Sequence, residues 1–273
     1  MAVTRQRRIR AVKPNPGIRA SYRKAMASMI RQMHEDYLRE IDALYSALEP
    51  RITGDATWRS PMERLDDLLT KLSDRWTKRF AVLASSLVPR TVKSIFSRVK
   101  DTRRQTLKDM GFNIKISKSR VMDDRVQALI LASASDVQSI PATYAGRVAK
   151  AVSNSVVAGL DREALTQELH KGLGIELRKA RHISRDQTNK ATQAMAESTD
   201  ESLGVTEGIW VHVPGRKMSR ATHVAMNGKK FKLNEGLYDP DRKVRRNVKP
   251  GSLPLCACIY RPVWPESWGV KLK

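Results

Sequence analysis

Cys256 and Cys258 stand one residue apart in PGSLPLCACIYRPVW (250–264), and no other cysteine occurs among the 273 residues. Thiolates are good ligands for zinc, and His212 and His223 lie shortly upstream in the same β-like stretch. Two thiolates and two imidazoles make a sensible tetrahedral zinc set. Cys-x-Cys is nevertheless a weaker signature than two Cys-x-x-Cys knuckles, and neither histidine stands at a diagnostic spacing. In a strand, residues i and i+2 share a face, so both thiols would stand with Tyr260 as packing residues, covered by Trp210 and Phe231. The spacing favours that second reading, with no bound cofactor, and leaves zinc on His212, His223, Cys256 and Cys258 as the alternative. Two cysteines make no disulfide framework.

Catalytic patterns are missing. The chain has no Gly-x-Ser-x-Gly elbow, phosphate-binding loop, Rossmann glycine pattern or His-Glu-x-x-His helix. The acid pairs Asp66-Asp67 and Asp123-Asp124 are sequence neighbours, which do not share a helix face. No residue is assigned a catalytic role, and the expectation is a protein that is not an enzyme. A zinc-dependent nuclease using the four donors is the alternative.

Charge is the outlying property. Lys and Arg number 51 against 28 Asp and Glu, a formal excess of +23, which predicts a polyanionic partner. The cations cluster. Residues 1–17 carry Arg5, Arg7, Arg8, Arg10 and Lys13 before Pro14-Asn15-Pro16-Gly17, as an extended basic arm with almost nothing apolar to bury. Residues 90–120 add ten cations, Arg103 and Arg104 among them, and the loop DRKVRRNVK adds Arg242, Lys243, Arg245 and Arg246. Such spreads suit sequence-neutral contact with a phosphate backbone. Base readout is not indicated, since aromatics are 5% and no helix-turn-helix or zinc-finger pattern appears. A general nucleic-acid-binding protein therefore stays open.

The elements that must position these groups are mostly helical. Ile18, Tyr22, Met26, Ile30, Met33, Tyr37, Ile41, Leu44 and Leu48 step by three or four, an apolar stripe that Pro50 ends. SPME announces a second helix, with Ser60 as N-cap and Glu63 closing a capping box. A third is expected from Pro89 to Gly111, then helices over 121–134 and 142–157. Asp161 caps the next, which should stop at Gly172, and a last one covers 176–203. After Gly204 the period changes to two. GIWVHV reads as a strand, MNGKKFKL as a tight Asn-Gly hairpin and CACIYRPV as a final strand. The expected fold is mainly α, a long-helix body followed by a small α+β C-terminal domain. Its parts are a basic arm (1–17), a helical body (18–158), the α+β domain (159–264) and a tail (265–273). The N-terminus lacks the apolar segment of a secretory leader. The most apolar run, VQALILASAS (126–135), is too short to span a bilayer, so no membrane partner is expected.

The C-terminal third, residues 160–263, resembles the head morphogenesis domain of phage Mu F-like minor head proteins. The resemblance rests on Arg185, Asp186 and Thr188 in a helix, Trp210 in a strand, Arg220 and His223 as Arg-x-x-His, Gly228 and Phe231 as Gly-x-x-Phe, and Pro254, Cys256 and Cys258 as a closing Pro-x-Cys-x-Cys. Two departures stand out: Pro214-Gly215 where members often have an acid, and Ala257 where many have Arg. The resemblance implies a structural virion protein, made in the host cytoplasm and retained inside the head. Its implied partners are the portal, the scaffolding and major capsid proteins, and double-stranded DNA, which it contacts when packaged or ejected. The N-terminal helices are expected to allow self-association. Some relatives carry a toxin or ADP-ribosyltransferase domain fused to this one; with ten residues after Val263, none is expected here.

Overall fold

The computed structural model describes residues 10–47, 60–116, 120–159, 162–214 and 219–265. Four long helices come first: α1 (Pro16–Ala47), α2 (Pro61–Asp109), α3 (Arg120–Val157) and α4 (Arg162–Glu201). A small mixed region follows, with β1 (Glu207–Val211), the one-turn α5 (Ala221–Ala225), β2 (Lys230–Lys232), β3 (Leu237–Asp239), β4 (Arg246–Val248) and β5 (Ile259–Val263). The mainly α architecture with an α+β C-terminus is the one expected. Arg5, Arg7, Arg8, the Pro50 and Asp161 signals and most of the 265–273 tail fall outside the described residues.

Helix ends chosen by glycine and proline are where the structure departs from expectation. The 61–109 helix runs through Pro89, and the 120–157 helix runs through Pro141, with no break at either. Gly172 lies inside α4 rather than ending it. The reason is packing. Phe80, Ala84, Val88, Val92, Ile95 and Val99 form one uninterrupted buried stripe across Pro89. Val137, Ile140, Tyr144, Val148 and Val152 do the same across Pro141. Burial along such stripes offsets the roughly 3 kcal/mol that an interior proline costs. The Ser60 signal holds: Ser60 N donates to Glu63 Oε2 (2.9 Å) and Glu63 N to Ser60 Oγ (3.1 Å).

The chain divides into two compact units, and α2, α3 and α4 each contribute a segment to both. This division does not follow the order arm, body, domain along the sequence. One unit comprises residues 20–89 and 131–184. The α1 stripe fills its core, with Tyr22, Met26, Ile30, Met33 and Tyr37 at most 1% exposed. That stripe, expected to offer a face for self-association, is thus already covered within the chain. Several buried polar groups there are paired, although the Tyr22 and Tyr37 hydroxyls have no hydrogen-bond partner among the described residues. Trp76 Nε1 donates to Asp36 Oδ2 (2.9 Å), and His34 Nδ1 lies 2.7 Å from the Tyr144 hydroxyl.

The other unit comprises residues 1–19, 90–130 and 185–273. β1 is the centre of a three-stranded antiparallel sheet ordered β2-β1-β5, and β3 pairs with β4 as a separate hairpin. The C-terminal half of α4 is buried on almost every side although it is rich in polar residues. Many of those groups are satisfied within the unit, Gln193 Oε1 and Ser198 Oγ being exceptions among the described residues. Thr192 and Thr199 donate to carbonyls four residues back, and Gln193 Nε2 donates to Val12 O. Asp200 takes a two-pronged ion pair from Arg103 and a hydrogen bond from Tyr260 Oη (2.6 Å).

Candidate metal and nucleic-acid sites

The Cys-x-Cys turn sits just before β5, not within it, which corrects the expectation of two thiols on the last strand. Leu255 precedes Cys256 in the left-handed region, at φ 56°, a conformation a bulky residue adopts only when its surroundings impose it. Both thiols are free and buried, 4% and 3% exposed. They face histidines. His223 Nδ1 lies 3.3 Å from Cys256 Sγ and 3.7 Å from Cys258 Sγ, while His212 Nδ1 lies 3.6 Å from Cys258 Sγ. The ligand atoms of His223, Cys256 and Cys258 all lie within 4.8 Å of one another. On its other side His223 Nε2 meets the fully buried Asp239 carboxylate at 3.2 Å. The Cys256 thiol is pushed down to about 4, first by the neighbouring Cys258 thiol and further by His223, against the opposing effect of burial. Cys258 is pushed up by the same neighbour and by burial.

The residues behind the family resemblance converge on this spot. Asp186 Oδ1 accepts from Leu255 N (2.6 Å) and Arg220 Nη2 donates to Pro254 O (3.1 Å). Asn189, one turn along α4 from Asp186, donates from Nδ2 to Cys256 O (3.0 Å). Together they clamp three consecutive residues of the turn that carries the thiols. The Asn227-Gly228 turn joins α5 to β2 instead of forming a tight two-strand hairpin, because β2 pairs back to β1 across the whole 212–229 connection. Gly228 takes φ 82° there, and Asn227 Oδ1 accepts from His212 N (2.9 Å), fixing that histidine at the end of β1. Trp210 packs edge-on against His223 (5.1 Å between centroids) and lies 6.0 Å from Phe231. Both rings belong to the core cluster that holds the two thiols. Arg185 is half-buried, and its guanidinium is lowered by desolvation and by Arg19.

The cations separate into usable and unusable. DRKVRRNVK is not a loop; it is the turn and second strand of the β3–β4 hairpin, and Arg242, Lys243, Arg245 and Arg246 are all exposed on it. Asp241 shapes the tip, accepting Lys243 N on Oδ1 and Arg245 N on its carbonyl, with Arg245 at φ 42°. Arg104 is exposed and paired with Asp101. Arg103, expected to contact phosphate, is 0% exposed and spent on Asp200 and the Arg10 carbonyl. The arm also needs correcting. Arg10 and Lys13 are exposed, but Val12 is 3% exposed in the core and α1 already begins at Pro16. Residues 10–15 are therefore packed, not extended in solvent.

Sequence reasoning missed Asp239, Asn189 and Asn227. Asn189 stands three positions after Asp186, so both lie on one helix face, a signal that was available. Asp239 gave none, since its partnership with His223 depends on how the intervening chain folds back.

The arrangement is that of a small, helix-supported α+β segment with a thiol–imidazole centre, not of an open catalytic cleft. Residues 146–261 match the family model described as phage Mu protein F like protein. The resemblance read from the motifs is thereby shown over that segment. An uncharacterized protein of Haemophilus influenzae is 27% identical over 141 residues, 51% of this chain and 30% of that relative. The chain therefore spans less than a third of that relative's length. No solved structure matches. Among the described residues, no helix is long and apolar enough to cross a membrane.

Proposed function

We propose that this chain is a minor head protein of a tailed phage, assembled at the portal and held inside the head. There its exposed cations lie along packaged DNA without reading its sequence. The observation that carries the reading is the β3–β4 hairpin. The Mu F-like segment itself presents four exposed cations within five residues, Arg242, Lys243, Arg245 and Arg246. Arg90, Lys93, Arg98 and Lys108 on α2 are exposed as well, under an overall excess of +23. A protein that shares a closed lumen with a phosphate polymer gains from such a surface and needs no base contacts. The portal and the scaffolding and major capsid proteins are the partners of this reading, and the host cytoplasm is where it assembles.

Titrating duplexes of unrelated sequence with the full chain at several salt concentrations tests the DNA contact. If six or more phosphates are neutralised, affinity falls about 10³-fold or more between 50 and 200 mM salt, equally for every sequence. Changing Arg242, Lys243, Arg245 and Arg246 to Ala should reduce the slope of log K against log salt by up to about four. A flat salt profile, or one unchanged in that variant, removes the hairpin from the reading.

A further inference from the structure

We propose that His212, His223, Cys256 and Cys258 hold one zinc ion in a closed structural site. Three independent features of the geometry lead there. The first is spacing. Zinc binds Cys sulfur at about 2.3 Å and His nitrogen at about 2.0–2.1 Å with tetrahedral angles, which puts a bound sulfur and nitrogen about 3.6 Å apart. The three sulfur–nitrogen separations here are 3.3, 3.6 and 3.7 Å.

The second is the orientation of His223. Its Nδ1 faces both sulfurs and its Nε2 faces Asp239 Oδ2. With the Nε2–H donating to that buried carboxylate, Nδ1 carries a lone pair directed between the thiols. A carboxylate behind a ligating histidine is the usual means of fixing its tautomer and raising its basicity. Without an ion, one lone pair faces two thiols, and a single acceptor site satisfies one S–H well. A cation at the midpoint uses both sulfurs at once.

The third is support. Asn227 fixes His212, while Asp186, Asn189 and Arg220 hold Leu255, Cys256 and Pro254 by their backbone atoms. Leu255 is kept at φ 56° in the process. A turn held at three successive residues, in a conformation unfavourable for leucine, presents its side chains at fixed positions. Soft sulfur with imidazole in a tetrahedral set selects zinc over hard cations. His223, Cys256 and Cys258 are already gathered, whereas His212 Nδ1 reaches only Cys258 Sγ, so His212 closes on the ion to complete the four-donor set that makes it structural and not hydrolytic. It joins the end of β1, α5 and the approach to β5, three segments linked otherwise by short strands.

The site is argued from geometry and stands whether or not the DNA reading holds. The test is metal analysis of the full chain, produced with zinc in the medium and purified without chelator. About one zinc per chain is expected, and none in the Cys256→Ser/Cys258→Ser variant. Because that variant loses two core groups, two further measurements use folded protein. Exchange of the wild-type ion for Co(II) should give thiolate-to-cobalt charge-transfer absorption together with the visible bands of tetrahedral cobalt. Asp239→Asn should weaken zinc affinity about 10–100-fold while circular dichroism stays that of the parent. Wild-type protein with far less than one zinc and no cobalt–thiolate absorption overturns the proposal. So does cobalt binding with water ligands, which would mark an open site.

Discussion

At the scale of single residues, the most consequential surprise is Arg103. Its type and company read as phosphate-binding, yet it is fully buried against Asp200, with Tyr260 completing the carboxylate's hydrogen bonds. Removing one partner of a buried pair strands the other charge, at a typical cost of about 3–5 kcal/mol. Asp200→Ala should therefore lower unfolding free energy by about that much in urea titrations, and Arg104→Ala, at an exposed pair, by under about 1 kcal/mol. The thiol–imidazole group shows what a sequence reveals at this scale. Its four donor residues could be named from type alone. Their choice between packing and ligation could not, because it turns on Asp239 and on three backbone contacts made by side chains far away in sequence.

Elements were legible where a stripe and a cap agreed. The α1 stripe and the Ser60–Glu63 box are where periodicity placed them. They were misread where proline or glycine outvoted a stripe, as at Pro89, Pro141 and Gly172, because tertiary burial is invisible to local punctuation. The N-terminal segment is a similar case. Deleting residues 1–15 removes Val12 from the core and the Arg10 carbonyl from Arg103. A drop in melting temperature is expected for that deletion. Within the other unit, His34 is 3% exposed between Tyr144 and His170, and burial, with His170 adding to it, lowers it to about 4. An unfolded histidine titrates near 6.5, so the folded state binds fewer protons between those values. Its contribution is intact above about pH 6.5 and is lost as pH falls towards 4, by up to about 3 kcal/mol. His34→Gln should flatten stability across that window.

At the scale of the whole molecule, charge and fold carry separate messages. The excess of +23 forecasts a polyanion and is indifferent to architecture. The Mu F-like match over 146–261 is what leads the proposed function to take that polyanion for packaged DNA. The virion reading predicts that antibodies to this chain detect it in purified particles and that its loss yields heads defective in assembly or infection. Its absence from particles would detach the chain from the head altogether.

One seam has a practical outcome. Gln193 grips the Val12 carbonyl and Arg103 grips that of Arg10, so residues 10–12 are held at a fixed spot. A photoreactive amino acid introduced at Lys13, exposed on that seam, would report neighbours in the assembled particle with the precision of a surveyed benchmark.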